Sequence, residues 1–202
     1  PFDTMSRNVR NATVAIEDNE FWQHKGIRLK AILRAIGSNL FAGNLLGGQG
    51  GSTITQQVVK NALLTNEKTV TRKLKEWVLA WRLEEALDKE TILSLYLNEI
   101  PYGGTVYGIE EASEAFFGKK ANDLSLAQAA YLAAIPNAPT YYSPYGNHKD
   151  ELEKRKNLVL ERMVGNGFIT KEESEQAKKE TAEWKPNSET GILAPHFVIY
   201  IR

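Results

Sequence analysis

The sequence predicts a mainly α-helical protein, on three observations. Apolar residues recur at three- and four-residue spacing along most of the 202 residues, which is the pattern of amphipathic helices. Residues 196–201 alone are rich in β-branched and aromatic side chains, as strands are. The chain is 42% apolar and 25% charged, as globular proteins are, and it has no cysteine, which excludes a disulfide scaffold, a cysteine-ligated zinc site and a thiol nucleophile.

The helical pattern is divided into segments by glycine, proline and polar residues. Capping boxes that begin at Ser125 and Thr170 predict two helix starts, and the first of these helices must end before Pro136. The apolar spacing predicts further helices over residues 6–18, 28–41, 53–64, 69–87 and 89–97.

Three stretches carry a more specific prediction. Residues 43–51 include five glycines, a density that predicts a mobile loop. Residues 77–81 are apolar on every side of a helix, which predicts that this helix is buried. Charges of both signs alternate over residues 150–180, which predicts a solvated helix pair.

The charge balance and the lack of a long apolar run exclude two classes of function. Lys and Arg together number 25, as do Asp and Glu, so the chain lacks the basic surface of a general nucleic-acid binder. The most apolar window, residues 124–135, is 12 residues long, whereas a bilayer-spanning helix needs about 20. We therefore expect no nucleic-acid partner, and any membrane anchor would precede Pro1.

The first candidate site is a pair of acids at the end of the first predicted helix. Glu17 and Asp18 are followed closely by the aromatic residues Phe21 and Trp22. A carboxylate beside apolar groups loses hydration, which raises its pKa and makes it a better proton acceptor. The alternative is that these acids simply face water, as acids near helix ends often do. His24 is more typical of a turn or packing residue than of a catalyst.

The second candidate site begins with a glycine pair at a predicted helix start. Gly50 and Gly51 precede a run of hydroxyl residues that starts at Ser52, so several backbone N–H groups are left to face an anion. Gln57 and Lys60 are three residues apart and share a helix face. The alternative is a capped helix with polar decoration and no ligand.

The third candidate site combines two cations with an acid. Arg72 and Lys73 precede Glu76 by four and three residues, so the three side chains project together from a helix. Residues 60–82 contain six basic and two acidic residues, a local charge of +4 that suits a phosphate or pyrophosphate. A structural ion pair is the alternative. A fourth polar pair that includes Asn98 ends a predicted helix, and helix capping explains it without a function.

Taken together and in order, these segments resemble the motifs of the family 51 peptidoglycan glycosyltransferases. These are the glycan-polymerising domains of class A penicillin-binding proteins and of monofunctional transglycosylases. The family patterns E-D-x-x-F-x-x-H-x-G, G-x-S-T-[IL]-T-Q-Q, R-K-x-x-E and L-Y-L-N match residues 17–26, 50–57, 72–76 and 95–98. The likeness covers nearly the whole chain.

The resemblance implies a lysozyme-like head lobe with a smaller, membrane-facing jaw lobe. Residues 1–190 would form the glycosyltransferase domain, and residues 191–202 would begin a linker toward a covalently linked transpeptidase domain. The chain is thus expected to be the N-terminal half of a class A penicillin-binding protein.

The implied reaction is inverting polymerisation of lipid II into β-1,4-linked glycan strands, with release of undecaprenyl pyrophosphate. It would take place on the extracytoplasmic face of the bacterial cytoplasmic membrane. The implied partners are lipid II, the lipid-linked glycan chain, the outer leaflet and moenomycin-type inhibitors. No cofactor is required by the sequence, which shows no metal-ligand cluster, although a divalent cation (Mg²⁺ or Mn²⁺) at the pyrophosphate is consistent with the resemblance.

The resemblance also implies roles for individual residues. Glu17 would be the general base on the attacking 4-hydroxyl, and Glu76 would assist departure of the pyrophosphate. Arg34 would serve the acceptor side. The residues implied in substrate binding are Arg34, Ser52, Gln57, Lys60, Asn61, Arg72, Lys73 and Asn98. The residues implied in supporting the site are Asp18, Phe21 and His24.

Two other functions stay open at this point. A lysozyme-like muramidase or lytic transglycosylase would cleave glycan strands with Glu17 as general acid. Its leaving group is a sugar oxygen, so it has no need of Lys60, Arg72 and Lys73 around a carboxylate. A non-catalytic protein that binds a lipid pyrophosphate is the third possibility.

Overall fold

A computed structural model describes residue 2 and residues 5–28, 51–63 and 69–186. The predicted helix that follows Arg28, the glycine-rich residues 43–50 and the predicted strand 196–201 lie outside the described residues. Within those ranges the protein is mainly α-helical, as predicted. The helices are α1 (Arg7–Glu17), α2 (Ile54–Leu63), α3 (Val70–Ala86), α4 (Lys89–Glu99), α5 (Ile109–Phe117), α6 (Leu126–Ala134), α7 (Lys149–Gly165) and α8 (Lys171–Lys179).

Four of the predicted helix starts are confirmed by their capping hydrogen bonds. Ser6 accepts from the Val9 amide ahead of α1, and Thr69 accepts from the Arg72 amide ahead of α3. The capping boxes at Ser125 and Thr170 are both complete, with side chain and backbone bonded in each direction. These caps satisfy amide groups that a helix start would otherwise leave without a partner.

Two groups of helices surround the positions of the candidate site. α1 packs against α6 and α7, and α8 packs against α7. α6 is buried from Ala127 to Ala134, and its many alanines let the neighbouring helices approach closely. In the second group, α2 packs against α3 and α4. Glu17 therefore lies at the end of α1, where this helix leaves the alanine-rich core. The second and third motifs lie on or next to α2 and α3.

The prediction of a buried helix at residues 77–81 is wrong. Val78 is 51% exposed and Trp81 is 46% exposed, and only Ala80 in this stretch is fully buried. α3 contacts the protein through the face that includes Glu76 and Ala80, so Val78 and Trp81 point away from the described core. A helix that is apolar on all sides is buried, but not necessarily in protein.

The charged residues 150–180 form a helix pair, α7 and α8, but the pair is not solvated throughout. Lys156 is fully buried, with its ammonium group bonded to Glu153 and to the Lys178 carbonyl oxygen at the end of α8. It also lies 5.1 Å from the Tyr131 ring centroid. The alternation of charge predicts the helices but does not reveal this buried cation.

A short β-hairpin and one helix were not predicted from the sequence. β1 (Pro101–Gly103) pairs antiparallel with β2 (Val106–Tyr107), so the prediction that only residues 196–201 form a strand is wrong. Strands of three and two residues are too short to show alternation. α5 follows directly and ends at Gly118, whose φ of 65° is the left-handed conformation of a glycine cap. Nowhere in the described part of the chain is there a helix long and apolar enough to span a bilayer.

Candidate active site

Glu17 is the last residue of α1, and its partly buried carboxylate meets α2. Gln57 Nε2 donates a hydrogen bond to Glu17 Oε2 at 2.8 Å. Burial raises the pKa of Glu17 and the neighbouring Asp18 charge adds to this effect, whereas the Gln57 hydrogen bond and the Arg155 cation oppose it. The raised pKa suits a group that accepts a proton.

Three residues near Glu17 were not predicted to belong to the site. Tyr96 and Tyr102 are both buried, and burial, reinforced by the Glu17 charge, raises the pKa of each phenol. The Tyr96 hydroxyl has no hydrogen-bond partner among the described residues. Arg155 donates from Nε to the Ala134 carbonyl oxygen at 3.0 Å. Tyr96 lies within the L-Y-L-N motif, which was the only sequence signal for any of the three.

Asp18 connects the end of α1 with the start of α2. Its side chain is fully buried, and its Oδ2 atom lies 2.8 Å from His24 Nε2 and accepts from the Ile54 amide at 3.0 Å. His24 Nδ1 accepts from the Gly26 amide at 3.1 Å. Phe21 is fully buried and packs edge-on against the His24 ring. The three residues of the first motif that were predicted to support the site therefore lie together behind Glu17.

Gly26 brings the first motif against α3. Its φ of 81° is left-handed, and a Cβ atom there would lie 2.6 Å from the Ala80 carbonyl oxygen. Its own carbonyl oxygen accepts from Thr53 Oγ1 at 2.6 Å. Only glycine combines this conformation with so close an approach to backbone. The loop after α1 is thus held between α2 and α3.

The second and third motifs meet around Glu76, which is buried. Arg72 Nη1 lies 3.2 Å from Glu76 Oε2, and Lys73 Nζ bonds to Glu76 Oε1. Lys73 Nζ also donates to Ser52 Oγ at 2.9 Å. The Arg72 and Lys73 side chains are 16% and 27% exposed. One carboxylate neutralises only one of the two cations, so this group presents a net positive charge at the surface.

The remaining predicted site residues lie at the edge of this arrangement or outside it. Lys60 and Asn61 are exposed on α2, one turn after Gln57. Asn98 is exposed at the end of α4, where its side-chain amide donates to the Ser94 carbonyl oxygen at 2.8 Å. Arg34 lies outside the described residues. The predicted roles of these residues stay predictions.

Among the residues that the structure describes, there is no group of three or more His, Asp or Glu side chains able to hold a metal ion. Both oxygens of Glu76 are bonded to cationic groups.

The chain was compared with known proteins. A family model described as transglycosylase matches residues 1–164. Penicillin-binding protein 1A of Aquifex aeolicus is 49% identical over 175 residues, which are 87% of this chain and 24% of that protein. Penicillin-binding protein 1F of Bacillus subtilis is 41% identical over 197 residues, or 96% of this chain and 27% of that protein. The chain thus spans about a quarter of the length of these relatives.

Solved structures were compared in the same way. A crystal structure of penicillin-binding protein 1A from Haemophilus influenzae is 38% identical to this chain and aligns with a TM-score of 0.46. That alignment covers 49% of this chain and 15% of the other.

Proposed function

This chain belongs to the transglycosylase family, and from that premise we propose that it polymerises lipid II into β-1,4-linked peptidoglycan strands and releases undecaprenyl pyrophosphate. The observation that carries the proposal is the joint placement of two unlike groups by α2. Gln57 on α2 bonds to the desolvated carboxylate of Glu17, and Ser52 just before α2 bonds to Lys73 of the cationic group. The start of α2 therefore positions both Glu17, the proposed base, and the cationic group proposed to bind an anion.

In the proposed reaction Glu17 is the general base. It removes the proton of the lipid II 4-hydroxyl as that oxygen bonds to the anomeric carbon of the lipid-linked glycan. The bond from that carbon to the pyrophosphate breaks on the opposite face, so the configuration inverts and the electron pair leaves with the pyrophosphate. The raised pKa of Glu17 favours the proton transfer. Glu17 then returns its proton to solvent.

The cationic group stabilises the leaving pyrophosphate in this proposal. A departing pyrophosphate carries its own negative charge, so it needs neutralisation more than it needs a proton. Arg72 and Lys73 supply positive charge that Glu76 only partly neutralises, and Lys60 extends it along α2. Glu76, bonded to both cations, positions them. The same group would bind the phosphate of moenomycin-type inhibitors.

The remaining assignments are supported by the resemblance to the family alone. Asn61 and Asn98 would contact the sugars of the substrate, and Arg34 would serve the acceptor. The boundary between a glycosyltransferase domain at residues 1–190 and a linker at 191–202 is a prediction, because the family match ends at residue 164. A transpeptidase domain linked to this chain is likewise a proposal.

We also propose that α3 lies against the outer leaflet of the cytoplasmic membrane. Lys75 and Arg82, seven residues apart and both exposed, flank an apolar stripe on one side of this helix. Cations beside an exposed apolar stripe that includes tryptophan are typical of helices in a bilayer interface. The stripe consists of Val70, Leu74, Val78 and Trp81, which are 49%, 51%, 51% and 46% exposed. The helix that carries Arg72 and Lys73 would then hold them at the depth of a lipid pyrophosphate.

The membrane proposal is tested by co-sedimentation with vesicles that contain phosphatidylglycerol. We expect a variant with Leu74→Ser and Trp81→Ser to bind about 10-fold less, because it loses two large apolar side chains from the interface. Leu158→Ser, at an exposed leucine on α7, is the matched control and should bind as the wild type does. Equal binding of all three proteins would contradict the proposal.

The reaction itself is tested with purified lipid II in detergent. The wild type should elongate lipid II, and Glu17→Gln should bind lipid II but elongate it about 10²–10⁴-fold more slowly, as expected on losing a general base. Glu20→Gln, at an exposed acid three residues away, should leave the rate unchanged. If the wild type instead shortened isolated glycan strands, the protein would be a hydrolase or lytic enzyme. If Glu17→Gln elongated normally, Glu17 would not be the base.

A further inference from the structure

Glu84 and Lys89 lie outside the four motifs, yet they bond directly to the residues behind Glu17. They flank the junction between α3 and α4, and Lys89 Nζ lies 2.6 Å from Glu84 Oε1. Lys89 Nζ is also 3.4 Å from His24 Nδ1 and 4.5 Å from the Phe21 ring centroid. The Glu84 side chain is 7% exposed and that of Lys89 is 20% exposed. An ion pair this buried is costly unless its further contacts compensate.

The contacts around His24 determine which ring nitrogen carries the proton. Nδ1 receives the Gly26 N–H and faces the Lys89 ammonium group, and both of these are donors. Nδ1 must therefore be an acceptor, and the proton lies on Nε2, where it is donated to Asp18. The charged groups that face the ring are Asp18, Glu84 at 3.9 Å from Nδ1, and Lys89. Arg28 lies behind them, 3.7 Å from Asp18 Oδ1.

Glu84 also fixes the start of α2, together with Asp18. Glu84 Oε1 accepts from Thr55 Oγ1 at 2.6 Å, in the first turn of that helix. Asp18, bonded to His24, accepts from the amide of Ile54, the residue before Thr55. Two buried carboxylates therefore hold one helical turn from two directions. Gln57, the donor to Glu17, lies in that turn.

We propose that Glu84 and Lys89 are positioning residues for glycosyl transfer, which hold His24 in the Nε2–H tautomer and fix the first turn of α2 so that Gln57 meets Glu17. Their effect on the rate rests on the proposed function of Glu17, whereas their effect on the His24 tautomer does not. Neither residue contacts Glu17 itself. They act through His24, Asp18 and the first turn of α2, whose geometry and charge balance they set.

The charge balance gives the proposal a specific signature. In the wild type, Nδ1 faces two donors, the Gly26 amide and the Lys89 ammonium group. When Lys89 is replaced by methionine, Nδ1 loses one of these donors, and the Glu84 carboxylate 3.9 Å away is left without its cation. The contacts then no longer fix the Nε2–H tautomer, and the ring is free to turn toward Glu84. When Glu84 is also replaced by glutamine, the unbalanced charge is gone.

The experiment compares Lys89→Met, Lys89→Arg and the double variant Lys89→Met with Glu84→Gln. Glu85→Gln and Lys149→Met are the matched controls, since both residues are exposed. ¹⁵N NMR of the His24 imidazole at neutral pH reports its tautomer. The kcat and KM for lipid II, measured at the same pH, report the effect on catalysis.

We expect Lys89→Met to move the His24 ¹⁵N signals away from those of the Nε2–H tautomer and to lower kcat about 10-fold with little change in KM. Lys89→Arg should restore both, and the double variant should reduce the change in the His24 signals. The proposal is overturned if Lys89→Met lowers only the melting temperature and leaves the His24 signals and kcat unchanged. If the wild type has the Nε2–H tautomer and Lys89→Met disturbs it, but the wild type does not elongate lipid II, the proposed function is contradicted and the tautomer assignment is left intact.

Discussion

Glu17 and Glu76 are both shielded from water, yet their surroundings differ in kind. Glu17 receives one amide hydrogen bond, from Gln57, and lies beside two buried tyrosines, so burial dominates and raises its pKa. Glu76 is bonded by Arg72 and Lys73, one cation on each oxygen. In the proposed function, one carboxylate takes a proton and the other holds cations in place. The same residue type would then have two roles, each set by what surrounds it.

The sharpest test of this difference is the pair of isosteric variants Glu17→Gln and Glu76→Gln. We expect the elongation rate of both variants to fall about 10²–10⁴-fold, but for different reasons. Glu17→Gln should keep its affinity for moenomycin, because the cationic group is intact. Glu76→Gln should change that affinity, because Arg72 and Lys73 lose the partner that orients them. Equal moenomycin affinity in the two variants, measured by fluorescence anisotropy, would refute the separation of roles.

Gly26→Ala disrupts the close approach of the loop after Glu17 to α3, the helix that carries Glu76. A left-handed conformation costs a residue with a Cβ about 1–2 kcal/mol, and overpacking against the Ala80 carbonyl oxygen adds about 1–3 kcal/mol. We expect the free energy of unfolding, measured in urea, to fall by about 2–5 kcal/mol. Gly165→Ala is the control, since a Cβ there meets nothing within 4 Å. Similar stability of the two variants would show that the loop can move away from α3.

Arg72→Ala tests whether the region around Glu76 is an anion site or a structural ion pair. We expect the dissociation constant for pyrophosphate-containing ligands to rise about 10–100-fold, as when a charge-assisted hydrogen bond is lost. Binding should become less sensitive to salt at the same time. Arg162→Ala, at an exposed cation on α7, serves as the control. If Arg72→Ala lost stability but kept its affinity, the residue would be structural.

Local features of this fold could be predicted from the sequence, whereas the site's surroundings could not. Helix starts could be predicted because each depends on a side chain that accepts from an amide three residues away, as at Ser6, Thr69, Ser125 and Thr170. The partners of Glu17 come from distant segments: Gln57 is 40 residues away, and Arg155 lies on another helix. Periodicity gives no information about such pairs.

The exposed side of α3 shows a second limit of sequence patterns. An all-apolar turn has the same pattern whether protein or lipid covers it, so residues 77–81 were placed in the core. Lys156 shows the converse, because a buried cation and a solvated one occupy the same position in an alternation of charges. In both cases the burial of a side chain depends on which element packs against its face of the helix. The pattern within one helix does not contain that information.

The smallest expected effect is the loss of stability that accompanies ionisation of Glu17. Its folded-state pKa is raised above the ordinary value of 4.5, so its favourable contribution is fully present below that value and is lost as the pH rises through the folded-state pKa. Glu17→Gln has no such loss, and we expect it to melt about 2–4 °C higher than the wild type at neutral pH, which is about 1 kcal/mol for a domain of this size.

The advantage of Glu17→Gln should shrink as the pH falls through the folded-state pKa of Glu17 and should be absent below 4.5, because the wild-type carboxyl is then neutral as well. All other carboxylates titrate in both proteins, so the difference between the two melting curves isolates this one group. Glu20→Gln, at an exposed acid, should melt with the wild type at every pH. A Glu17→Gln variant that melted lower at neutral pH would mean that Gln57 and Arg155 stabilise the carboxylate more than burial opposes it, and such a carboxylate would be a poor base.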